Sequence, residues 1–187
     1  TGIPIHYHIT EEQPREVRAG RKQLVITGGN LGIGLIDKLV QKVKGHHVDF
    51  HILCGKNKRL YERLLSFQKP NIKPLPYVHS KKEMDLIYKN SDGIITKPGG
   101  VTISESLFKR IPIFIYHTLP GQEEMNYEQL KQLGLVHDLK KWKKLDIEEE
   151  ILHFYEDKSL LDQYNVSLQK YHEKIELKNP AEIITSL

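Results

Sequence analysis

Short apolar runs alternate with amphipathic stretches along most of the chain. Five runs rich in β-branched residues end in glycine, proline or polar turns, at residues 23–27, 48–54, 72–78, 93–96 and 111–116. Buried parallel strands have this composition, and the stretches between the runs carry apolar residues at helical spacing. The alternation predicts an α/β fold, with a Rossmann-like parallel sheet of about six strands and helices on both faces.

The end of the chain is predicted to complete this pattern. A short sixth strand is expected within residues 135–139, followed by an amphipathic helical region at 147–171 and a last helical piece after Pro180. At 187 residues and 39% hydrophobic content, the chain is long enough for one domain with a single large core.

The charge balance does not indicate a nucleic-acid partner. The chain has 28 basic and 24 acidic residues, a small surplus of positive charge. Lysines cluster at residues 56–59 and again at 140–144, where Trp142 lies among them. We read both clusters as exposed faces, and the sharper alternative is peripheral contact with an anionic membrane surface.

Cysteine content and hydropathy constrain the location of the protein. Cys54 is the single cysteine, which excludes a disulfide framework, fits a reducing cytoplasm and predicts a small buried side chain. No apolar run reaches the roughly 20 residues that a membrane span needs. We therefore expect a cytoplasmic protein, or one at the cytoplasmic face of a membrane. The chain starts without Met on Thr1, and we expect that it is part of a longer protein.

Two glycine-rich turns follow predicted strands. Residues 93–105 predict a strand, a Pro-Gly-Gly turn and a helix whose first turn carries Thr102, Ser104 and Glu105, an arrangement suited to binding anions. The loop at 28–34 lacks the Gly-x-Gly-x-x-Gly spacing of dinucleotide-binding proteins, which argues against a nicotinamide dehydrogenase. Two phosphate-friendly loops at one sheet edge favour a nucleotide diphosphate instead.

A third polar motif lies just after the fifth predicted strand. Residues 120–126 place Gln, Glu and Asn side chains at the start of a helix, where amides and carboxylates can pair with sugar hydroxyls. The plainer alternative is a capped helix whose acidic first turn complements the helix dipole.

Metal use is not expected. No Asp-x-Asp pair occurs, and the histidine pairs His6 with His8 and His47 with His51 lack an adjacent third ligand. We expect surface or core histidines, no metal and no cofactor.

Together, the motifs at 96–105 and 119–126 resemble the donor-sugar half of family 28 glycosyltransferases. The resemblance covers about residues 1–126 and is closest to enzymes that glycosylate diacylglycerol, with the peptidoglycan lipid GlcNAc-transferase more distant. It implies a UDP-sugar donor and one half of a GT-B fold. The whole of 1–187 would then be the C-terminal donor-binding domain, with 1–21 as a hinge from an acceptor domain that supplies the general base.

The same resemblance implies roles for particular residues. The diphosphate would be held by the backbone of Gly99, Gly100, Val101 and Thr102 and by the Thr102 hydroxyl. The ribose would be bound by Glu105, and the hexose by Gln122, Glu123 and Asn126. Uracil would be read by the backbone of Val78, and the loop at the interdomain cleft would be formed by Gly28, Gly29 and Asn30. Asn30 departs from the usual Ser or Ala at its position. No catalytic residue is assigned within this chain.

The function implied is an inverting transfer of a hexose from a UDP-sugar to a membrane lipid such as diacylglycerol, with no activity for the isolated domain. Two alternatives stay open. One is a UDP-sugar hydrolase or epimerase of the same architecture. The other is a nucleotide-sugar-binding partner subunit without catalysis of its own.

Overall fold

Six parallel strands form one sheet in the computed structural model, which describes residues 5–6, 8–9, 20–28, 35–44 and 46–174. The strands are β1 (Lys22–Thr27), β2 (Val48–Leu53), β3 (Ile72–Leu75), β4 (Gly93–Thr96), β5 (Ile113–Ile115) and β6 (His137–Asp138). Their order across the sheet is β3-β2-β1-β4-β5-β6. The predicted Rossmann-like sheet of six strands is confirmed.

The strand order reverses direction between β1 and β4, which lie side by side at the centre of the sheet. Leu24 of β1 is in register with Phe50 of β2 on one side and with Gly93 of β4 on the other. In open sheets of this kind, ligands bind at the carboxyl ends of the strands, where the order reverses. The fold therefore directs attention to the loops that follow β1 and β4.

Within the described residues, seven helices connect and cover the strands. They are α1 (Ile36–Lys42), α2 (Lys58–Leu65), α3 (Lys81–Lys89), α4 (Gly100–Phe108), α5 (Gln122–Gln132), α6 (Ile147–Glu156) and α7 (Lys158–His172). The region predicted as helical at 147–171 is thus two helices. They divide at Asp157, whose carboxylate accepts hydrogen bonds from the backbone N–H groups of Ser159 and Leu160 and so starts a new helix.

Three strands are shorter than predicted. β3 ends at Leu75, before Pro76, and β5 begins after Pro112. Proline has no N–H group to donate to a neighbouring strand, so Pro76 and Pro112 do not favour extension of these strands. Pro74 is tolerated within β3 because β3 lies at the edge of the sheet. β6 is reduced to two residues at the sheet edge. The predicted helical piece after Pro180 and most of the predicted hinge lie outside the described residues.

An aromatic cluster fills the space between β5, β6 and the two last helices. It consists of Phe114, His137, Phe154, Tyr155 and Tyr164, with ring centroids of His137 and Phe154 4.0 Å apart. Gly93 leaves the room that this packing needs, because a Cβ there would lie 2.7 Å from Tyr155 Oη. Tyr155 in turn donates a hydrogen bond to the Asp92 carbonyl at 2.6 Å.

The single cysteine and the tryptophan both belong to the core. Cys54 is buried as predicted, and burial raises the pKa of its thiol to about 11. Trp142 is 3% exposed, so the indole within the second lysine cluster does not face an interface. Its neighbours Lys141, Lys143 and Lys144 are exposed. Among the helices of the described residues, none has the length and apolar character to cross a membrane.

Candidate functional site

The segments that follow β1 and β4 begin side by side at the carboxyl edge of the sheet, because the two strands are neighbours. β1 leads into Gly28, which is buried, and β4 leads through residues 97–99 into α4. Gly29 and Asn30, which were also predicted to form the first loop, lie outside the described residues. The structure thus confirms that both turns start at one edge of the sheet.

The start of α4 is uncovered by the residues that the structure describes. Gly99 is its N-cap, with extended backbone angles (φ −77°, ψ 134°), and no side chain within the described ranges caps the helix. A Cβ on Gly99 would meet no atom of the described residues within 4 Å, and Val101 is 54% exposed. The first N–H groups of a helix have no partner within it and carry partial positive charge, so this opening can receive an anion.

Glu105 lies one turn further into α4 than predicted, because the helix begins at Gly100. Its side chain is buried against α3. Glu105 Oε1 accepts from Lys81 Nζ at 2.9 Å, and Oε2 accepts from Tyr88 Oη at 3.0 Å. Glu105 therefore points toward α3, and both of its oxygens have partners there.

The third motif forms a tight turn into α5. Gly121 adopts φ +94°, a conformation that side-chain-bearing residues rarely take, and α5 begins at the next residue. Gln122 is exposed. Glu123 Oε2 accepts from the Leu119 N–H at 2.8 Å, which closes the turn over residues 119–123.

Two contacts join this third motif to the Pro-Gly-Gly turn. Lys97 Nζ lies 2.8 Å from Glu123 Oε1, and the Lys97 side chain is only 11% exposed. Asn126 Nδ2 donates to the Pro98 carbonyl at 3.1 Å. The structure therefore joins the turn that leads into the residues predicted for the diphosphate to the segment that carries those predicted for the hexose. The sequence contained no signal for the Lys97–Glu123 ion pair.

Tyr116 is a residue of this edge that the sequence did not single out. It follows β5 and is 1% exposed, and its hydroxyl has no hydrogen-bond partner within the described part of the chain. Burial, together with the nearby charge of Glu123, raises the pKa of Tyr116. Its position in the sequence could have indicated this, because Tyr116 ends an otherwise apolar predicted strand. A hydroxyl at that position lies near the carboxyl edge of the sheet.

A cavity of about 580 Å³ lies between the loops that follow β2 and β3. It is lined by Gly55, Lys56, Asn57, Lys58, Tyr61, Pro76, Tyr77 and His79. Lys56 Nζ stands 5.4 Å from the centre of the Tyr77 ring, within the range of a cation–π contact. Val78, predicted to read uracil, is half-buried between two residues that line this cavity. The lysines here were predicted to form an exposed face, and the cavity was not predicted.

The histidines do not gather into a metal centre. Within the ranges that the structure describes, no group of three or more His, Cys, Asp or Glu side chains is placed to hold an ion. The rings of His6 and His8 lie 5.2 Å apart, and burial lowers the pKa of His51 in β2.

Comparison with known proteins identifies the family. The model of the glycosyltransferase family 28 C-terminal domain matches residues 23–176. The chain belongs to this family. The match extends past residue 126, where the resemblance in motifs ended, and so includes α6 and α7.

Two relatives come from Bacillus subtilis (strain 168). The uncharacterized glycosyltransferase YkoN is 43% identical over 173 residues, covering 91% of this chain and 46% of that protein. The processive diacylglycerol beta-glucosyltransferase is 26% identical over 193 residues, covering 98% of this chain and 49% of that protein. The chain thus spans about half the length of these relatives. The predicted resemblance to diacylglycerol glucosyltransferases is confirmed.

The fold recurs in solved structures of glycosyltransferases. MurG of Acinetobacter baumannii superposes with a TM-score of 0.58 at 20% identity, over 86% of this chain and 51% of that one. At this identity the likeness concerns the fold alone. It agrees with the Rossmann-like architecture predicted for one half of a GT-B enzyme.

Proposed function

We propose that this chain is the donor-binding domain of a glycosyltransferase that moves a hexose from a UDP-sugar to a membrane lipid acceptor such as diacylglycerol. The observation that carries the proposal is the contact between the two motifs at the carboxyl edge, through Lys97–Glu123 and Asn126–Pro98. A diphosphate site and a sugar site must adjoin if one donor molecule is to occupy both.

The diphosphate occupies the opening at the start of α4 in this proposal. The backbone N–H groups of Gly100, Val101 and Thr102 donate to phosphate oxygens, and the Thr102 hydroxyl adds a further donor. Gly99 supports this placement because no atom of the described residues lies where its Cβ would stand. Neither crowding by the described residues nor a positive φ requires glycine at this position.

The same donors assist the transfer step. An acceptor hydroxyl attacks the anomeric carbon as the bond to the UDP oxygen breaks, which inverts the configuration of the sugar. Negative charge then grows on the departing diphosphate, and preorganised N–H donors stabilise such charge without a metal ion. The base that takes the hydroxyl proton comes from the acceptor domain in this scheme, so the donor domain alone is inactive.

The remaining parts of the donor follow from the position of the diphosphate. Glu105 accepts from the ribose hydroxyls, and Gln122, Glu123 and Asn126 contact the hexose. Glu123 already holds Lys97 and the Leu119 N–H, so it shapes the sugar site as well as lining it. The uracil lies beside Val78, with the glycine loop that begins at Gly28 on the acceptor side.

Membrane contact is peripheral in this proposal. The exposed lysines of clusters 56–59 and 140–144 would face anionic headgroups at the cytoplasmic surface, where each basic residue contributes about 1 kcal/mol. Buried Trp142 does not contribute to that contact.

Calorimetric titration with nucleoside diphosphates tests the proposal. The chain should bind UDP in preference to ADP, GDP and CDP, and Glu105→Ala should weaken UDP binding by about tenfold, the worth of a hydrogen bond to a charged group. Equal affinity for all four nucleotides would contradict the proposal. An exposed carboxylate outside the site, Glu150→Ala, provides the control and should leave the affinity unchanged.

A further inference from the structure

The two oxygens of Glu105 are held by two residues of α3. Lys81 Nζ contacts Oε1 at 2.9 Å and the Tyr88 hydroxyl donates to Oε2 at 3.0 Å. Glu105 is 6% exposed and Tyr88 is 2% exposed. A buried carboxylate of this kind is costly unless it is paired and hydrogen-bonded, and here it is both.

The Tyr88 hydroxyl is a dependable donor to this carboxylate. Burial raises the pKa of Tyr88 well above its ordinary value, and the negative charge of Glu105 raises it further. The phenol therefore keeps its proton at neutral pH and donates it to Oε2. This hydrogen bond restricts rotation of the carboxylate.

A second ion pair fixes how α3 and α4 lie against each other. Lys109, the C-cap residue of α4, is completely buried, and its Nζ contacts Asp85 Oδ1 of α3 at 3.0 Å. The other oxygen of Asp85 pairs with Lys89 of α3 at 2.9 Å. Along α3 the charges run lysine, aspartate, lysine, and along the facing segment they run glutamate, lysine. A slip of one turn would bring like charges together, so this alternation favours the register in which Tyr88 meets Glu105.

We infer that Tyr88 and Lys81 are positioning residues, which hold the Glu105 carboxylate in the orientation that receives the ribose diol of the donor nucleotide. This inference rests on the proposed function. A carboxylate offers about four lone-pair sites, of which these two partners use two. The remaining two match the two neighbouring hydroxyls of a ribose, each of which donates one hydrogen bond.

The competing explanation is that the contacts only join α3 to α4. Tyr88→Phe would then lower stability and leave nucleotide recognition unchanged. A positioning role predicts instead that Tyr88→Phe loses only the part of the binding affinity that the ribose hydroxyls contribute. The two explanations can be distinguished by comparing the affinity for UDP with the affinity for 2′,3′-dideoxy-UDP, which keeps the base and the diphosphate but lacks both hydroxyls.

The experiment is calorimetric titration of the 187-residue chain with both nucleotides. We expect Tyr88→Phe to weaken UDP binding by about five- to tenfold and 2′,3′-dideoxy-UDP binding by less than about twofold. Tyr164→Phe is the matched control, because it also removes a buried tyrosine hydroxyl, the donor to the Ile111 carbonyl at 3.1 Å. It should leave both affinities within about twofold of the unmodified chain.

Lys81 supplies a second test that does not depend on the folding of Tyr88→Phe. Its side chain is 42% exposed, so substitution there is tolerated by the fold. Lys81→Met should weaken UDP binding more than dideoxy-UDP binding, which reduces the preference of the chain for UDP. Lys81→Arg, which keeps the charge, should restore the preference seen in the unmodified chain.

The results distinguish this inference from the proposed function. The positioning role is overturned if the variants weaken the binding of both nucleotides equally. It is also overturned if UDP affinity is unchanged in both Tyr88→Phe and Lys81→Met. In either case the proposed function stands as long as the unmodified chain binds UDP. An unmodified chain that binds no UDP overturns both.

Discussion

The carboxyl edge of the sheet and the aromatic cluster bury ionisable groups in opposite ways. At the carboxyl edge, Lys97, Glu105 and Glu123 each meet an opposite charge at hydrogen-bonding distance. In the aromatic cluster, His137 lies among Phe114, Phe154 and Tyr164, and its Nε2 has no hydrogen-bond partner among the described residues.

This difference predicts that the two regions have different roles, one in ligand binding and the other in stability. A paired charge stays ionised when buried, and it can exchange or share its partner with a ligand. An imidazole among aromatic rings is kept neutral by burial, which lowers the pKa of His137 to about 4. We therefore expect changes in the cluster to alter stability alone, and changes at the edge to alter binding.

The largest expected effect is the acid sensitivity that His137 confers. Its pKa falls from 6.5 in the unfolded chain to about 4 in the fold. The unfolded state therefore binds the proton more readily, and the contribution of neutral His137 is complete above pH 6.5 and lost as the pH falls toward 4. The difference corresponds to about 3 kcal/mol, measurable by urea unfolding between pH 7 and pH 4.

Substitution of two histidines tests this assignment. His137→Phe should flatten the pH dependence between pH 6.5 and 4, whereas His153→Asn, which replaces an exposed histidine of α6, should leave the slope intact. A slope that persists in His137→Phe would show that another group titrates there. UDP binding at pH 7 should be the same in both variants.

The ion pair at the carboxyl edge should have a smaller effect on stability. Lys97→Met and Glu123→Gln each break a mostly buried pair, and a double-mutant cycle should give a coupling energy of about 1–2 kcal/mol in urea unfolding. Both single variants should also weaken UDP-sugar binding relative to UDP, because the turn over 119–123 loses its anchor. A coupling below about 0.3 kcal/mol would mean that the pair does not join the two motifs.

The smallest expected change in stability belongs to Gly99→Ala. The new Cβ would meet no atom of the part of the chain that the structure describes, and the backbone angles suit alanine. The free energy of unfolding should stay the same or rise by about 0.5 kcal/mol. UDP binding should nevertheless weaken, because the methyl group occupies the space assigned to the diphosphate.

The converse variant serves as its control. Gly134→Ala, just after α5, introduces a side chain at φ +68° beside Ser167, so it should lower stability without affecting UDP binding. Unchanged UDP affinity in Gly99→Ala would place the diphosphate elsewhere.

The fold followed from the sequence because buried parallel strands leave a simple signal. The strands β1, β2 and β4 were predicted within a residue at each end, since each is a short run rich in apolar residues that ends near a glycine or proline turn. The errors fell where proline interrupts pairing, at Pro76 and Pro112, and at Asp157, where a capping side chain divides a continuous amphipathic pattern into two helices.

The site could be predicted only in part, because contacts between distant side chains leave no pattern in a single sequence. The motifs at 96–105 and 119–126 were recognised from their residues, but the ion pairs Lys97–Glu123 and Lys81–Glu105 join positions more than 20 residues apart. Tyr116 and the cavity beside Tyr77 depend in the same way on how loops from different strands meet.

The start of α4 holds the diphosphate of the donor in the proposed function. Titration of the ¹⁵N-labelled chain with UDP, followed by NMR, tests this placement, because each backbone N–H group reports on its own surroundings. We expect the largest shifts at the amides of Gly99, Gly100, Val101 and Thr102, and we expect inorganic phosphate to reproduce part of them. Shifts confined to other loops, with these four amides unmoved at saturation, would contradict it.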